Sequence, residues 1–170
     1  MMMKIRDGFT LIEALVSISI LGILLAMAIP AWDNFIQQKR LISATEALQD
    51  TFRLAHSESV THQATITVSF VVGANWCVGL SDVGNCNCNT AGSCLIKGVQ
   101  RVFGSTTYLG VSFTAAGFAG TNVQYDGARG VASDSGNITL TNGNYSTSLT
   151  NNRTGLVSIC SDTVAGYSGC

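Results

Sequence analysis

Gly8-Phe9-Thr10-Leu11-Ile12-Glu13 opens an apolar run that continues to about Pro30, with Lys4, Arg6 and Asp7 charged ahead of it and Glu13 the one carboxylate inside it. A helix of about 21 residues over this run is roughly 30 Å long, the thickness of a bilayer's hydrocarbon core. Residues 9–30 are therefore expected to form a membrane-spanning helix. A secretory signal places a small-residue cleavage site after its apolar region. Here the polar leader, residues 1–8, and Gly8 come before it, so a cut after Gly8 leaves the anchor attached.

An ionisable group in lipid costs up to about 3 kcal/mol at the midplane and less near the interface, so Glu13 should seek a cation. The α-amine that cleavage would create on Phe9, in the same or a neighbouring subunit, is the nearest candidate; the alternative is a carboxylate that snorkels to the headgroups. Pro30 cannot donate to the helix ladder and crowds the preceding turn, so a bend or local melt is expected between Gly22 and Pro30. Trp32 and Phe35 suit a membrane interface or subunit packing.

The rest of the chain reads as one folded domain. Hydrophobic residues make up 46% and charged residues 11%, with 18 glycines and a single proline, which argues for a β-rich domain over disorder. Seven basic residues face nine acidic ones after Gly8, which is not a polyanion-binding composition. Residues 31–63 continue a helical pattern in which Leu41, Ala44, Leu48, Phe52 and Ala55 recur at three- or four-residue steps, one face to pack and one to stay wet. Residues 64–170 form the β-rich head.

Ala64-Thr65-Ile66-Thr67-Val68-Ser69-Phe70 alternates apolar and polar, the pattern of a strand with one buried face. Residues 76–80, 109–113, 123–125, 138–140 and 156–160 supply further short strands between Gly- and Asn-bearing turns. Asn142-Gly143, flanked by strand-like triplets, predicts a type I′ hairpin. The fold class is α+β, a long N-terminal helix packed on an antiparallel β-rich head.

All six cysteines, Cys77, Cys86, Cys88, Cys94, Cys160 and Cys170, follow the anchor, on the side that a positive-inside leader places outside the cytoplasm. Disulfides are the economical reading there, and Cys86-x-Cys88 with Cys94 has no fourth ligand close by for zinc. Six cysteines allow 15 pairings. The pairing favoured ties Cys160 to Cys170, a loop of about ten residues that stabilises by roughly 2–3 kcal/mol, while Cys77 and two of Cys86, Cys88 and Cys94 pin an intervening hairpin loop.

Enzymatic chemistry finds no support. The chain carries no nucleophile elbow, its glycines lack the Lys-Ser/Thr pair of a phosphate loop, and His56 and His62, six apart, share no helix face and read as a solvated helix terminus. No cofactor or metal is expected.

The leader ending in Gly8 and followed by Phe9-Thr10-Leu11-Ile12-Glu13 resembles the class III signal of type IV pilins and type II secretion pseudopilins. In that family a prepilin peptidase cuts after the glycine and N-methylates the new first residue, which implies cleavage between Gly8 and Phe9 and methylation of Phe9. The family's assembly glutamate falls on Glu13, and its helix-weakening glycine and proline on Gly22 and Pro30, a segment that unwinds during filament assembly. Ala55-His56-Ser57-Glu58-Ser59-Val60, Tyr125-Asp126-Gly127-Ala128-Arg129-Gly130 and Val157-Ser158-Ile159-Cys160 resemble the FimU, FimT and GspH group.

The resemblance implies a non-enzymatic minor pilin of a type IV pilus tip or initiation complex, supporting pilus assembly and twitching motility. Implied partners are other minor pilins, the major pilin and the prepilin peptidase. The implied location is the inner membrane with a periplasmic head, and then the pilus surface. Alternatives are a type II secretion pseudopilin and a DNA-receptor pilin. The arginine-bearing Gly-Arg-x-Arg segment linked to DNA uptake reads Gly155-Leu156-Val157-Ser158 here, so nucleic acid is not expected, and a scattered patch of Lys97, Arg101, Arg129 and Arg153 is all that would serve it.

Overall fold

The computed structural model describes residues 9–170, with backbone alone for 27–31 and 116. One helix, α1 (Leu11–His62), is followed by ten strands: β1 (Ile66–Val71), β2 (Cys77–Ser81), β3 (Leu95–Ile96), β4 (Val99–Gln100), β5 (Val102–Gly104), β6 (Ser112–Ala116), β7 (Asn122–Tyr125), β8 (Gly136–Asn142), β9 (Tyr145–Asn151) and β10 (Val157–Cys160). The chain divides into two compact units, one ending at Ile36 and one running from Gln37 to Cys170.

Both ends of α1 are chemically defined. Thr10 caps the start, its Oγ1 and carbonyl accepting the Glu13 N–H at 3.3 and 3.1 Å, so Thr10 and Glu13 occupy the two positions of a capping box. At the other end Gln63 takes φ 49°, the Gln63 N–H reaches the Val60 carbonyl and the Ala64 N–H reaches the Ser59 carbonyl at 3.2 Å. That is a Schellman closure with glutamine where glycine is usual. Of the bend or local melt expected between Gly22 and Pro30, the melt is not present, because helical backbone runs through both residues. A proline withholds only its own ladder donor, and the bonds on either side carry the helix on.

In the second unit Leu41, Ala44, Leu48, Phe52 and Ala55 are all fully buried, as their spacing predicts, and Thr45 and Ser59 join them. Two four-stranded antiparallel sheets receive this face, ordered β5-β2-β1-β7 and β10-β9-β8-β6, and β3 pairs with β4 in a separate ribbon. Gly73 joins the sheets by exchanging both backbone bonds with Phe113, at 2.8 and 3.2 Å. A single core unites the helix with Val68, Phe70, Trp76, Val123, Tyr125, Ile138, Leu140 and Leu149. Trp76 lies parallel to Phe113 and Tyr108 and donates its indole N–H to the Val111 carbonyl at 2.7 Å.

The sequence predicts one buried face for β1, yet every residue from Ile66 to Phe70 is buried. The segment between β2 and β5 covers the second face: Ser69 Oγ accepts the Cys86 N–H at 3.1 Å, and a side chain on Gly79 would overlap Cys94. The β8–β9 hairpin also differs from expectation. Asn142 pairs with Tyr145, so the two-residue loop is Gly143-Asn144, one position later. Only its first residue has positive φ, which is the II′ pattern and not I′.

Candidate assembly site

In the first unit the large apolar side chains from Phe9 to Leu25 are each about half or more exposed. They surround the helix instead of forming a stripe, and an apolar surface of that extent marks an interaction site. Ser17 and Ser19 donate their hydroxyls to the carbonyls of Glu13 and Leu15 at 2.7 and 2.8 Å, so they add no unsatisfied polar group to it. Glu13 lies in the first helical turn, where the N-terminal end of the macrodipole favours an anion. A side chain at Gly22 would meet nothing within 4 Å, so intrachain packing does not demand glycine there.

Among the described residues no helix is long and apolar enough to cross a membrane. In this run the described side chains end at Ala26, and those of residues 27–31 lie outside the described set, so the expected 9–30 span is covered only in part. Gly8 and the rest of the 1–8 leader also lie outside the described residues.

The second unit fixes α1 to the head at several levels. Near its first residue, Asn142 Nδ2 donates to the Gln37 carbonyl at 3.1 Å, and Gly143 abuts the Gln37 side chain so closely that a Cβ would overlap it. In the middle, Thr45 Oγ1 donates to the Leu41 carbonyl at 2.8 Å and meets Thr147 Oγ1 at 2.7 Å, both hydroxyls buried. At the end, His56 is half-buried edge-on to Tyr125, with ring centroids 5.9 Å apart, which departs from the solvated terminus expected for it. His62 is exposed, 3.2 Å from Glu58 and 2.6 Å from Lys97 Nζ.

Tyr125 donates its hydroxyl to Asn151 Oδ1 at 2.7 Å, and Asn151 Nδ2 donates to the Asp134 carbonyl at 3.1 Å. Burial raises the Tyr125 phenol well above its ordinary range. The capping role of Thr10 and the tertiary bonds of Thr45, Thr147, Asn142 and Asn151 escaped the sequence reading. Only Thr10 had a local signal, the Thr-x-x-Glu spacing before an apolar run.

The cysteines pair as Cys77–Cys88, Cys86–Cys94 and Cys160–Cys170, and none is free. The first two fasten the segment that covers β1 and β2. The third closes a C-terminal loop, where Asp162 Oδ1 accepts the Cys170 N–H at 3.0 Å and Val164 is buried.

The four basic residues of the head have different surroundings. Lys97 is in the β3–β4 turn beside His62, and Arg101 lines a recess with Thr51 and Leu54. Arg129 and Arg153 are carried on turns that touch through Gly130 and Gly155. The Asp134 carboxyl is held below the usual range by the N–H groups of Ala119 and Ser135, with Arg153 adding a smaller attraction.

A long N-terminal helix whose second half packs on antiparallel sheets is the fold of pilin-type subunits. Crystal structures of the Pseudomonas aeruginosa PAO1 type IV minor pilin FimU share it. One superposes with a TM-score of 0.55 at 14% identity, covering 74% of this chain and 91% of that one. A second crystal form gives 0.51 at 14% identity, with 70% and 91% covered. Residues 3–29 match the prokaryotic N-terminal methylation motif. Residues 44–155 match the family described as Type II transport protein GspH, and the chain belongs to that family.

Proposed function

We propose that this chain is a structural minor pilin, cut after Gly8, methylated on Phe9, and incorporated with other minor pilins into the tip or initiation complex of a type IV pilus. The observation that carries the reading is the exposed apolar helix headed by Glu13, joined to a separately closed head. Before assembly the helix resides in the inner membrane, with the head in the periplasm. During assembly neighbouring pilin helices replace the lipid.

Glu13 then holds a neighbour's Phe9 amine, and Gly22 and Pro30 give the helix its adaptable segment. Replacing Gly8 is expected to leave an uncut precursor in the membrane. Glu13→Gln should be cut but incorporated poorly, and cleaved, fully incorporated Glu13 variants would refute the division of labour. Deleting the gene should reduce surface piliation and twitching while major pilin synthesis continues.

The GspH match favours a second reading, a pseudopilin of type II secretion. It predicts that the deletion strain loses protein secretion and keeps its surface pili.

A further inference from the structure

Two depressions flank the Cys77–Cys88 disulfide on the head and meet at Cys88 and Asn89. Their volumes are about 350 and 410 Å³, within the usual range for small-ligand clefts. Asn85, Asn87, Asn89 and Asn122 line the first, and Asn75 and Asn89 the second, with serine and threonine hydroxyls between them. Among the described residues no charged side chain lines either one.

The lining is held in place. Cys77–Cys88 and Cys86–Cys94 pin its backbone, Asn87 Oδ1 accepts the Asn89 N–H at 3.0 Å, and Ser93 Oγ accepts the Asn87 N–H at 2.9 Å. Ordering on binding therefore costs little. Each primary amide offers two donors and an acceptor in one plane, and each hydroxyl can do both. A ligand matched to five such amides both donates and accepts at closely spaced points, and with no charged side chain in the lining it gains nothing by carrying a charge. Adjacent hydroxyls on a sugar ring meet that requirement; phosphates and carboxylates, which only accept, do not.

We propose that this face binds a neutral oligosaccharide, with one ring in each depression and Asn89 contacting both. The glycan can come from a cell-wall strand or from a glycan on another cell surface, and the chemistry is the same. Asn85 and Asn122 provide the test positions, because among the described residues neither amide bonds another side chain.

The experiment titrates the full chain in lauryldimethylamine oxide micelles, a detergent without a sugar headgroup, with chitotriose, maltotriose and lactose, using saturation-transfer NMR. At least one should bind saturably and independently of salt, with Kd at or below about 10 mM. Asn85→Ala with Asn122→Ala should weaken binding by about tenfold, with the amide spectrum of the core unchanged. Preference for chitotriose assigns the cell-wall source, and preference for the unacetylated sugars assigns the other. Absence of binding by all three, or equal binding by the double variant, overturns the proposal. So does salt-sensitive binding confined to an anionic sugar such as sialyllactose.

Discussion

The Thr45–Thr147 contact offers a quantitative test of how the helix is registered on the head. Thr45 Oγ1 donates to the Leu41 carbonyl, so in the 2.7 Å contact the Thr147 hydroxyl is the donor and Thr45 the acceptor. Replacing Thr45 by Val preserves the shape but strands a buried Thr147 hydroxyl, at a cost of about 1–3 kcal/mol. Replacing Thr147 by Val leaves the Thr45 donor satisfied and removes only its second partner, so the cost should be at most about 1 kcal/mol. With both replaced, no polar group is stranded and the double variant should be less destabilised than Thr45→Val alone. The coupling should be of order 1 kcal/mol or more. For a head of this size each kcal/mol moves Tm by about 3–5 °C, readable by near-UV circular dichroism with the disulfides intact. Equal single costs that simply add in the double variant would refute the donor assignment and the register argument built on it.

The close approach of Gly127 to the helix end makes Gly127→Ala severe. A Cβ would overlap Gln63 and Ala64 backbone and come within 2.6 Å of the Ser59 carbonyl, so a loss of several kcal/mol is expected, seen as a collapse of protease resistance. Gln63→Gly should do the opposite, raising stability by up to about 1 kcal/mol by relieving the left-handed residue of the Schellman closure. Cys170→Ser should cost about 2–3 kcal/mol through reopening of its loop, with the other two disulfides still present in a non-reducing peptide map. Because burial raises the Tyr125 phenol, its contribution is complete below the unfolded value of about 10 and is lost as pH rises above that. Alkaline melts should therefore show a loss of Tm above about pH 10 that is smaller in Tyr125→Phe.

The parts of the fold that sequence reveals are those encoded by local period. The 3.6-residue spacing of Leu41, Ala44, Leu48, Phe52 and Ala55 named the buried helix face because each of these residues answers to its own helix. The alternation in β1 located the strand but not its second cover, since that cover comes from a segment beyond β2 that two disulfides fasten in place. Asn142 was read as a turn residue from Asn-Gly alone. Its amide instead bonds the Gln37 carbonyl, and that tertiary bond keeps it in the strand and moves the turn on by one. Thr45 and Thr147 look like ordinary polar positions until the helix and β9 are brought together. At the assembly segment the apolar run and Glu13 were plain to read, because a lone carboxylate stands out against lipid-compatible neighbours. The capping role of Thr10 was present in the same six residues and was overshadowed by that charge.

The same helix carries two different hydrophobic codes, and their difference argues for what the chain must do. From Leu41 to Ala55 the residues Leu41, Ala44, Leu48, Phe52 and Ala55 share one face, and the core of the head buries that face completely. The core of the head is thus closed by residues of the second unit itself. From Leu11 to Leu25 the apolar residues encircle the helix, so no single protein face can cover them. The two settings proposed for it, lipid and then a ring of similar helices, both surround the helix and so match that code. A carboxylate at the third helical position is tolerable in both settings, because backbone N–H groups and the macrodipole already favour an anion there. In the proposed assembly, the amine of a neighbouring chain would add to what the helix start has begun. The encircling pattern of side chains along this one helix is what the proposed exchange of lipid for neighbouring helices rests on, whichever filament or secretion apparatus receives it.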